Sequence, residues 1–205
     1  MSEKVETGSA TPFTEPGAIG IPVSGFLDGF TGESVDDPRQ QLRFELHDTD
    51  SDGAQIVRLL SQLVKVYARN EAVIAFARCL LRDLASNNDQ QAQFSILARW
   101  VLQNVVYQAD PRGIEFVISP VQMLKTWYQH GAARGDCDDH VLLLNALLEA
   151  AGIPTKVVAV ALPDAAPGVV NHVLSAVNYG KGWRDFDACN KSDPFYRHTG
   201  ERLES

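Results

Sequence analysis

The chain has 205 residues, of which 45% are hydrophobic and 21% charged, enough for one domain with a sizeable core. Its formal net charge of -8, with no basic stripe along the sequence, argues against a nucleic-acid or anionic-membrane partner. The three cysteines, Cys79, Cys137 and Cys189, are too few and too scattered for a disulfide framework, which indicates a reducing environment.

The N-terminal region gives few structural signals. It has neither the charged and apolar parts of a signal peptide nor an apolar run long enough to span a membrane. Residues 1–40 carry repeated glycine and proline without a sustained period, so we expect an extended or partly disordered arm. Residues 40–48 alternate apolar and polar side chains, as an edge strand does. The following "DTDSDG" resembles a calcium loop, but Leu59 stands where the bidentate glutamate is required, so we interpret this segment as a helix cap.

Hydrophobic periodicity predicts a series of helices in the middle of the chain. The first follows the cap, the second starts after Asn70, and the third follows "SNND" and ends at "DPRG". Ser119 and Pro120 predict the start of a short helix that ends near "HG". Cys137 lies in the first turn of a further, mostly buried helix that ends at "AGIP".

Three strands follow this helix, in "TKVVAVAL", "NHVLSAVN" and "GWRDFDAC". If the turn between the second and third centres on Gly180 and Lys181, Asp187 pairs with Leu174. Asp187 is then the diagonal neighbour of His172 on the same face of the sheet. This register predicts a hydrogen bond between the carboxylate and the imidazole.

Cys137, His172 and Asp187 together supply the three parts of thiol catalysis. The imidazole takes the thiol proton, the carboxylate fixes the tautomer of the imidazole, and backbone N–H groups at the helix start receive an oxyanion. A helix N-terminus stabilises an anion by only about 0.3–1 kcal/mol. We therefore expect His172 to do most of the activation of the thiol.

Three aspartates surround the thiol, and we interpret Asp136, Asp138 and Asp139 as residues that cap the positive end of the helix. Successive helical residues point about 100° apart, so the carboxylates need not face the sulfur. Contact with a substrate is the alternative role for them. A metal site with His140 is a further alternative, but the spacing is poor and no second cluster completes the ligand set.

These residues carry a family resemblance. "GDCDDHVLLLNALLEAAGIPTKVV" resembles the nucleophile helix of the transglutaminase-like superfamily, and "NHVLSAVNYGKGWRDFDA" resembles its His strand and its Trp…Asp strand. The resemblance is best over residues 118–189, and the upstream helices with "DPRGIEFVISP" are similar to bacterial and bacteriophage-encoded members. It implies Cys137 as the nucleophile, His172 as the general base, Asp187 as the orienting carboxylate and Trp183 as the framework tryptophan.

The sequence departs from the family pattern after the aspartate, where Ala188 and Cys189 replace the usual proline and threonine. Cys189 faces His172 in the ideal register, which makes it a rival nucleophile or a disulfide partner for Cys137. We prefer Cys137, because only Cys137 has a helix N-terminus to stabilise its charge. Asp185 is a weaker rival for the role of Asp187, since it lies further from His172.

The oxyanion hole has several candidate donors. The helix start at Cys137 supplies one, and Trp127 or Gln129, just upstream, could supply a second. A core aromatic is the alternative role for Trp127. His47, His130 and His198 have no partners in the sequence and are interpreted as surface residues.

Together these features predict an α+β domain of papain-like, transglutaminase-like architecture, with helices packed on a small antiparallel sheet. The arm covers residues 1–40, the domain residues 41–190, and a polar tail without pattern residues 191–205. We expect a thiol-dependent hydrolase that cleaves amide or peptide bonds through an acyl-enzyme. Amine acyl transfer, as in a transglutaminase, and a non-catalytic peptide-binding module of a larger, phage-like assembly are the alternatives.

No cofactor or metal is predicted, and the expected partner is a peptide or protein substrate. We expect no nucleic acid and no membrane among the partners, and the sequence does not define the oligomeric state. The expected location is cytoplasmic or virion-associated, without a signal peptide.

Overall fold

The structure is a computed structural model that describes residues 41–43, 52–84, 88–110 and 116–205. The arm expected over residues 1–40, most of the helix cap, the calcium-like loop and His47 lie outside the described residues. No helix among the described residues is long and apolar enough to cross a membrane.

The described residues form five helices and eight strands. The helices are α1 (Asp52–Tyr67), α2 (Glu71–Leu81), α3 (Gln90–Asn104), α4 (Pro120–His130) and α5 (Cys137–Ala150). The strands are β1 (Gln41–Arg43), β2 (Val105–Tyr107), β3 (Phe116–Ile118), β4 (Ala133–Gly135), β5 (Thr155–Val160), β6 (His172–Asn178), β7 (Trp183–Phe186) and β8 (Arg202–Glu204).

Strands β5 to β8 make one antiparallel sheet in the order β7-β6-β5-β8. Two small pairs accompany it: β1 with β3, which is antiparallel, and β2 with β4, which is parallel. Helices α1 and α5 pack against the sheet. The expected α+β class, with helices packed on a small antiparallel sheet, is therefore confirmed.

Side-chain caps begin three of the helices where the sequence predicted. Asn70 accepts hydrogen bonds from the backbone N–H groups at the start of α2, the shorter being 2.9 Å. Asp89 does the same for α3 at 2.9 Å, and Ser119 for α4 at 3.1 Å, with Pro120 in the first helical position. Such caps satisfy N–H groups that have no partner inside the helix.

Helix α5 is the centre of the core. Its leucines are fully buried, and the helix contacts the four other helices as well as β5 and β6. Burying one leucine side chain stabilises the fold by about 1.5–3 kcal/mol relative to leaving it exposed. Cys137 is therefore the first residue of a helix that packs against other helices and against the sheet.

The register of the β6–β7 hairpin is the one predicted. Ser175 pairs with Phe186 and Asn178 with Trp183, and the turn between the strands contains glycines with positive φ. β7 ends at Phe186, so Asp187 follows the strand instead of pairing with Leu174.

The C-terminal segment, residues 191–205, contains a strand that the sequence patterns did not predict. Its strand β8 pairs with β5 at the edge of the sheet, and Ala161 N–H donates to Glu201 O at 2.9 Å. Arg202 binds the Asp185 carboxylate through both Nη atoms, at 2.5 and 3.0 Å. β8 has only three residues and is held by backbone hydrogen bonds and ion pairs. The sequence therefore shows no alternation of apolar and polar residues that would predict it.

Candidate active site

The start of α5 is fixed by the parallel pair of β2 and β4. Tyr107 pairs with Gly135, and Gln108 N–H donates to Gly135 O at 2.8 Å, two residues before Cys137. Cys137 is half-buried and packs against a cluster that includes Val173, the residue after His172. Helix α5 packs against β6, and the charge of Cys137 acts on Cys189, two residues after Asp187.

Asp139 connects the start of α5 to β3 and to Asp136 through hydrogen bonds. Its fully buried carboxylate accepts the Ile118 N–H at 2.6 Å and the Asp136 N–H at 3.3 Å. Burial raises its pKa, and the negative charges of Asp136 and Asp110 add to this, while the two N–H donors oppose it. The capping role predicted for the aspartates is confirmed for Asp139.

His140 does not complete a metal site with these aspartates. The carboxylate oxygens of Asp136, Asp138 and Asp139 lie within 4.8 Å of one another. The fully buried His140 instead directs Nδ1 to the backbone oxygen of Asp136, at 2.7 Å. Burial lowers the pKa of this imidazole, which favours its neutral form.

His172 and Asp187 meet at the end of the hairpin. His172 Nε2 lies 2.8 Å from Asp187 Oδ2, and only 10% and 6% of the two side chains are exposed. Burial alone would raise the pKa of Asp187, but the hydrogen bond and charge of His172, with the Cys189 N–H, hold it below its ordinary value. Because Nε2 is engaged with the carboxylate, Nδ1 is the ring nitrogen left to accept a proton.

The two rival residues have unsuitable surroundings for catalysis. Burial, followed by the negative charges of Asp187 and Cys137, raises the pKa of Cys189 far above its ordinary value and so disfavours its thiolate. The Asp185 carboxylate is bound by both Nη atoms of Arg202. The electrostatics therefore disfavour Cys189 as a nucleophile, and the His172 imidazole is hydrogen-bonded to Asp187, whereas Asp185 is bound by Arg202.

Trp127 and Gln129, the two upstream candidates for the oxyanion hole, have different surroundings. Trp127 Nε1–H donates to Asn104 Oδ1 at 2.8 Å, and the ring packs edge-on against Phe76 and Trp100. Trp127 is therefore a core aromatic, the alternative role, because its one polar hydrogen is already used. Gln129 is exposed near the end of α4. The framework residue Trp183 is half-exposed, with Lys156 Nζ 4.9 Å from its ring centroid.

Tyr107 is a candidate site residue that the sequence reasoning missed. It ends β2 beside the residues that precede Cys137, its side chain is half-exposed, and its ring centroid is 6.3 Å from that of His140. Burial raises its pKa to about 12, with further contributions from the charges of Cys137 and Asp136. The phenol therefore stays a hydrogen-bond donor at neutral pH. β2 has three residues and follows α3 directly, so the sequence showed no strand pattern that would predict the position of Tyr107.

His198 is the second residue that was missed, and its expected position at the surface is wrong. Only 7% of its side chain is exposed, and Nε2 lies 3.7 Å from Asp187 Oδ2. Its ring centroid is 5.9 Å from that of His172, and Tyr196 packs edge-on against it at 5.1 Å. The imidazole is buried because the C-terminal segment folds back along the sheet. His130 is exposed, as expected.

Comparisons with known proteins give one family and two structural neighbours. A family model described as the transglutaminase-like superfamily matches residues 78–188. A comparison with curated proteins found no match. One similar solved structure, a candidate protease from Parabacteroides distasonis, has 19% identity and a TM-score of 0.49, covering 65% of this chain and 26% of its own. Another, a candidate cysteine protease from Cytophaga hutchinsonii, has 16% identity and a TM-score of 0.42, covering 82% and 58%. The chain thus spans 26% of the first protein and 58% of the second, which is less than two thirds of either.

Proposed function

Because the chain belongs to the transglutaminase-like superfamily, as its sequence motifs predicted, we propose that it is a thiol-dependent hydrolase of amide or peptide bonds. Family membership supports a cysteine hydrolase or acyltransferase. One observation carries the finer proposal: the 2.8 Å hydrogen bond between His172 Nε2 and the Asp187 carboxylate. That bond leaves Nδ1 as the base for the Cys137 thiol.

The reaction proceeds in two halves. His172 Nδ1 takes the Cys137 proton, the thiolate attacks the carbonyl carbon, and the C–N bond breaks as the imidazolium protonates the leaving amine. Water then gives a proton to His172 and attacks the thioester, and the C–S bond breaks to release the acid and restore the thiol. Asp187 holds the imidazole in one orientation and stabilises its charged form.

The oxyanion of each half-reaction needs hydrogen-bond donors. Backbone N–H groups of the first turn of α5 supply one, because they have no partner inside the helix. The Tyr107 hydroxyl is our proposed second donor, since Tyr107 lies beside the start of α5 and keeps its proton. Replacing Tyr107 by Phe then lowers the acylation rate without loss of the nucleophile.

The proposal is tested with p-nitrophenyl acetate, an activated acyl donor that needs no knowledge of the natural substrate. We expect a burst of p-nitrophenolate, acetylation at Cys137 detected by mass spectrometry, and slow turnover. Cys137→Ala abolishes both, His172→Ala lowers the rate by about 10²–10⁴-fold, and His130→Ala, at an exposed histidine, leaves it unchanged. Equal rates in the wild type and Cys137→Ala would contradict the proposal and favour a binding module.

The same assay separates hydrolysis from acyl transfer. Adding n-butylamine provides an acceptor, and the products are acetate from hydrolysis and N-butylacetamide from transfer. We expect acetate to dominate at millimolar amine, because water is the default acceptor. A majority of amide would identify an acyltransferase.

A further inference from the structure

We propose that His172, Asp187 and His198 form a binding site for a divalent transition-metal ion, Zn²⁺ above all. The three residues come from the start of β6, the residue after β7 and the C-terminal segment. Two imidazoles and one carboxylate are a ligand set that suits Zn²⁺ and leaves a fourth position open.

The distances fit such an ion. Asp187 Oδ2 lies 2.8 Å from His172 Nε2 and 3.7 Å from His198 Nε2, and one ligand atom from each residue lies within 4.8 Å of the others. Around a tetrahedral Zn²⁺ with bonds of 2.0–2.2 Å, ligand atoms are separated by roughly 3.3–3.6 Å. Small side-chain adjustments bring these atoms to that spacing.

The surroundings of His198 support the metal site independently of these distances. Its side chain is more than nine-tenths buried, and Nε2 has no hydrogen-bond partner among the residues the structure describes. A buried polar nitrogen without a partner costs free energy. This nitrogen lies within reach of the other two ligands, so a metal ion would satisfy it.

The surrounding contacts hold the ligands in place. Asp187 Oδ1 accepts the Cys189 N–H at 2.9 Å, and the Asp187 N–H donates to Pro194 O at 2.7 Å. Tyr196 packs on the His198 ring. Such second contacts orient metal ligands and raise affinity. The acidic cluster at the start of α5 differs, because it contains no nitrogen ligand and its Asp139 carboxyl group already accepts the Asp136 N–H.

Metal binding would act on the proposed reaction. The ion takes Nε2 of His172 and the carboxylate of Asp187, so it replaces the hydrogen bond that orients the general base. Zn²⁺ would therefore inhibit the enzyme reversibly, and a chelator would restore it. This consequence rests on the proposed function, whereas the metal site itself does not.

The test is isothermal titration of the chelator-treated full chain with ZnCl₂. We expect one ion per chain, and an affinity lowered about tenfold or more in His198→Gln. His130→Gln, an exposed control, and Cys137→Ala, which removes the thiol as a ligand, should bind as the wild type does. No binding by the wild type, or equal binding by His198→Gln, would overturn the site. Loss of binding in Cys137→Ala alone would place the metal on the thiol and overturn it too.

A second measurement needs no variant. In a long-range ¹H–¹⁵N NMR spectrum of the wild type, Zn²⁺ should shift Nε2 of His172 and His198 and leave His130 in place. Absence of these shifts at saturating Zn²⁺ would contradict the proposal even if a variant failed to fold. Because neither measurement uses turnover, the metal site and the hydrolase proposal can fail separately.

Discussion

Gly135 precedes the N-cap of α5 at a point where the chain has no room for a side chain. A Cβ atom there would collide with the Asp139 carboxyl group, which reaches back over the strand to the Ile118 N–H. The sequence "RGDCDD" therefore combines a glycine with an acidic pair for one structural reason. The carboxylate that caps the helix occupies the space that the glycine leaves.

Replacing Gly135 by Ala should lower the free energy of unfolding by about 1–3 kcal/mol, because the added methyl group must displace a fully buried side chain. Urea unfolding at neutral pH measures this change. Arg134→Ala, at the exposed neighbouring position of β4, is the matched control and should stay within about 0.5 kcal/mol of the wild type. Equal stabilities of the two variants would contradict the packing argument.

Asp139 should make the stability depend on pH. Burial raises its pKa from the ordinary value of 3.8 to about 8, so between these values the folded chain binds a proton that the unfolded chain has released. The free energy of unfolding contributed by this group is fully present below about pH 4 and falls as pH rises towards 8. Asp139→Asn removes that titration while keeping an oxygen for the Ile118 N–H.

Urea unfolding of both proteins at pH 5 and pH 8 tests this sign. The wild type should lose more stability than Asp139→Asn over the interval. Parallel losses in the two proteins would show that the carboxyl is ionised in both states. Asp164→Asn, at an exposed carboxylate, serves as the control and should follow the wild type.

At the scale of elements, β8 connects the C-terminal segment to the site. Its pairing with β5 and the bidentate ion pair of Arg202 with Asp185 hold the chain after His198 against the sheet. Both partners are partly exposed, so the ion pair contributes only about 0–1 kcal/mol to global stability. We expect the ion pair to reduce local opening of the C-terminal segment instead.

Arg202→Gln should therefore increase hydrogen exchange in the peptide that covers residues 198–205 with little change in the unfolding midpoint. Hydrogen exchange followed by mass spectrometry measures both this peptide and the rest of the chain. Arg197→Gln, at a neighbouring exposed arginine, should leave the exchange unchanged. Unchanged exchange in Arg202→Gln would mean that backbone pairing alone holds β8.

The elements also show what sequence patterns can predict. Helices with a cap residue and a long apolar period were predicted, as was the β6–β7 register, because a tight turn with glycines fixes the pairing. Strands β2, β4 and β8 have three residues each, too few to show a period of two. Tyr107 and His198 depend on those short strands, so their positions could not be derived.

At the scale of the whole molecule, the candidate site exists only in the complete fold. The thiol belongs to a helix in the middle of the core, and the imidazole and carboxylate belong to a hairpin at one side of the sheet. The order of Cys137, His172 and Asp187 could be read from the motifs. Their surroundings were predicted only in part: the hairpin register placed Cys189 near His172, whereas Tyr107 and His198 reach the site through tertiary packing that the sequence patterns did not show.

The most direct test of the central claim is the rate at which iodoacetamide alkylates Cys137, followed by mass spectrometry from about pH 4 to 10 with a chelator present. The wild type and His172→Ala are compared, with His130→Ala as the control. We predict a Cys137 pKa well below the ordinary cysteine value of about 8.5 in the wild type, and a return towards that value in His172→Ala. Alkylation no faster than that of a free thiol at any pH, and unchanged in His172→Ala, would contradict the thiol–imidazole pair and favour a binding role.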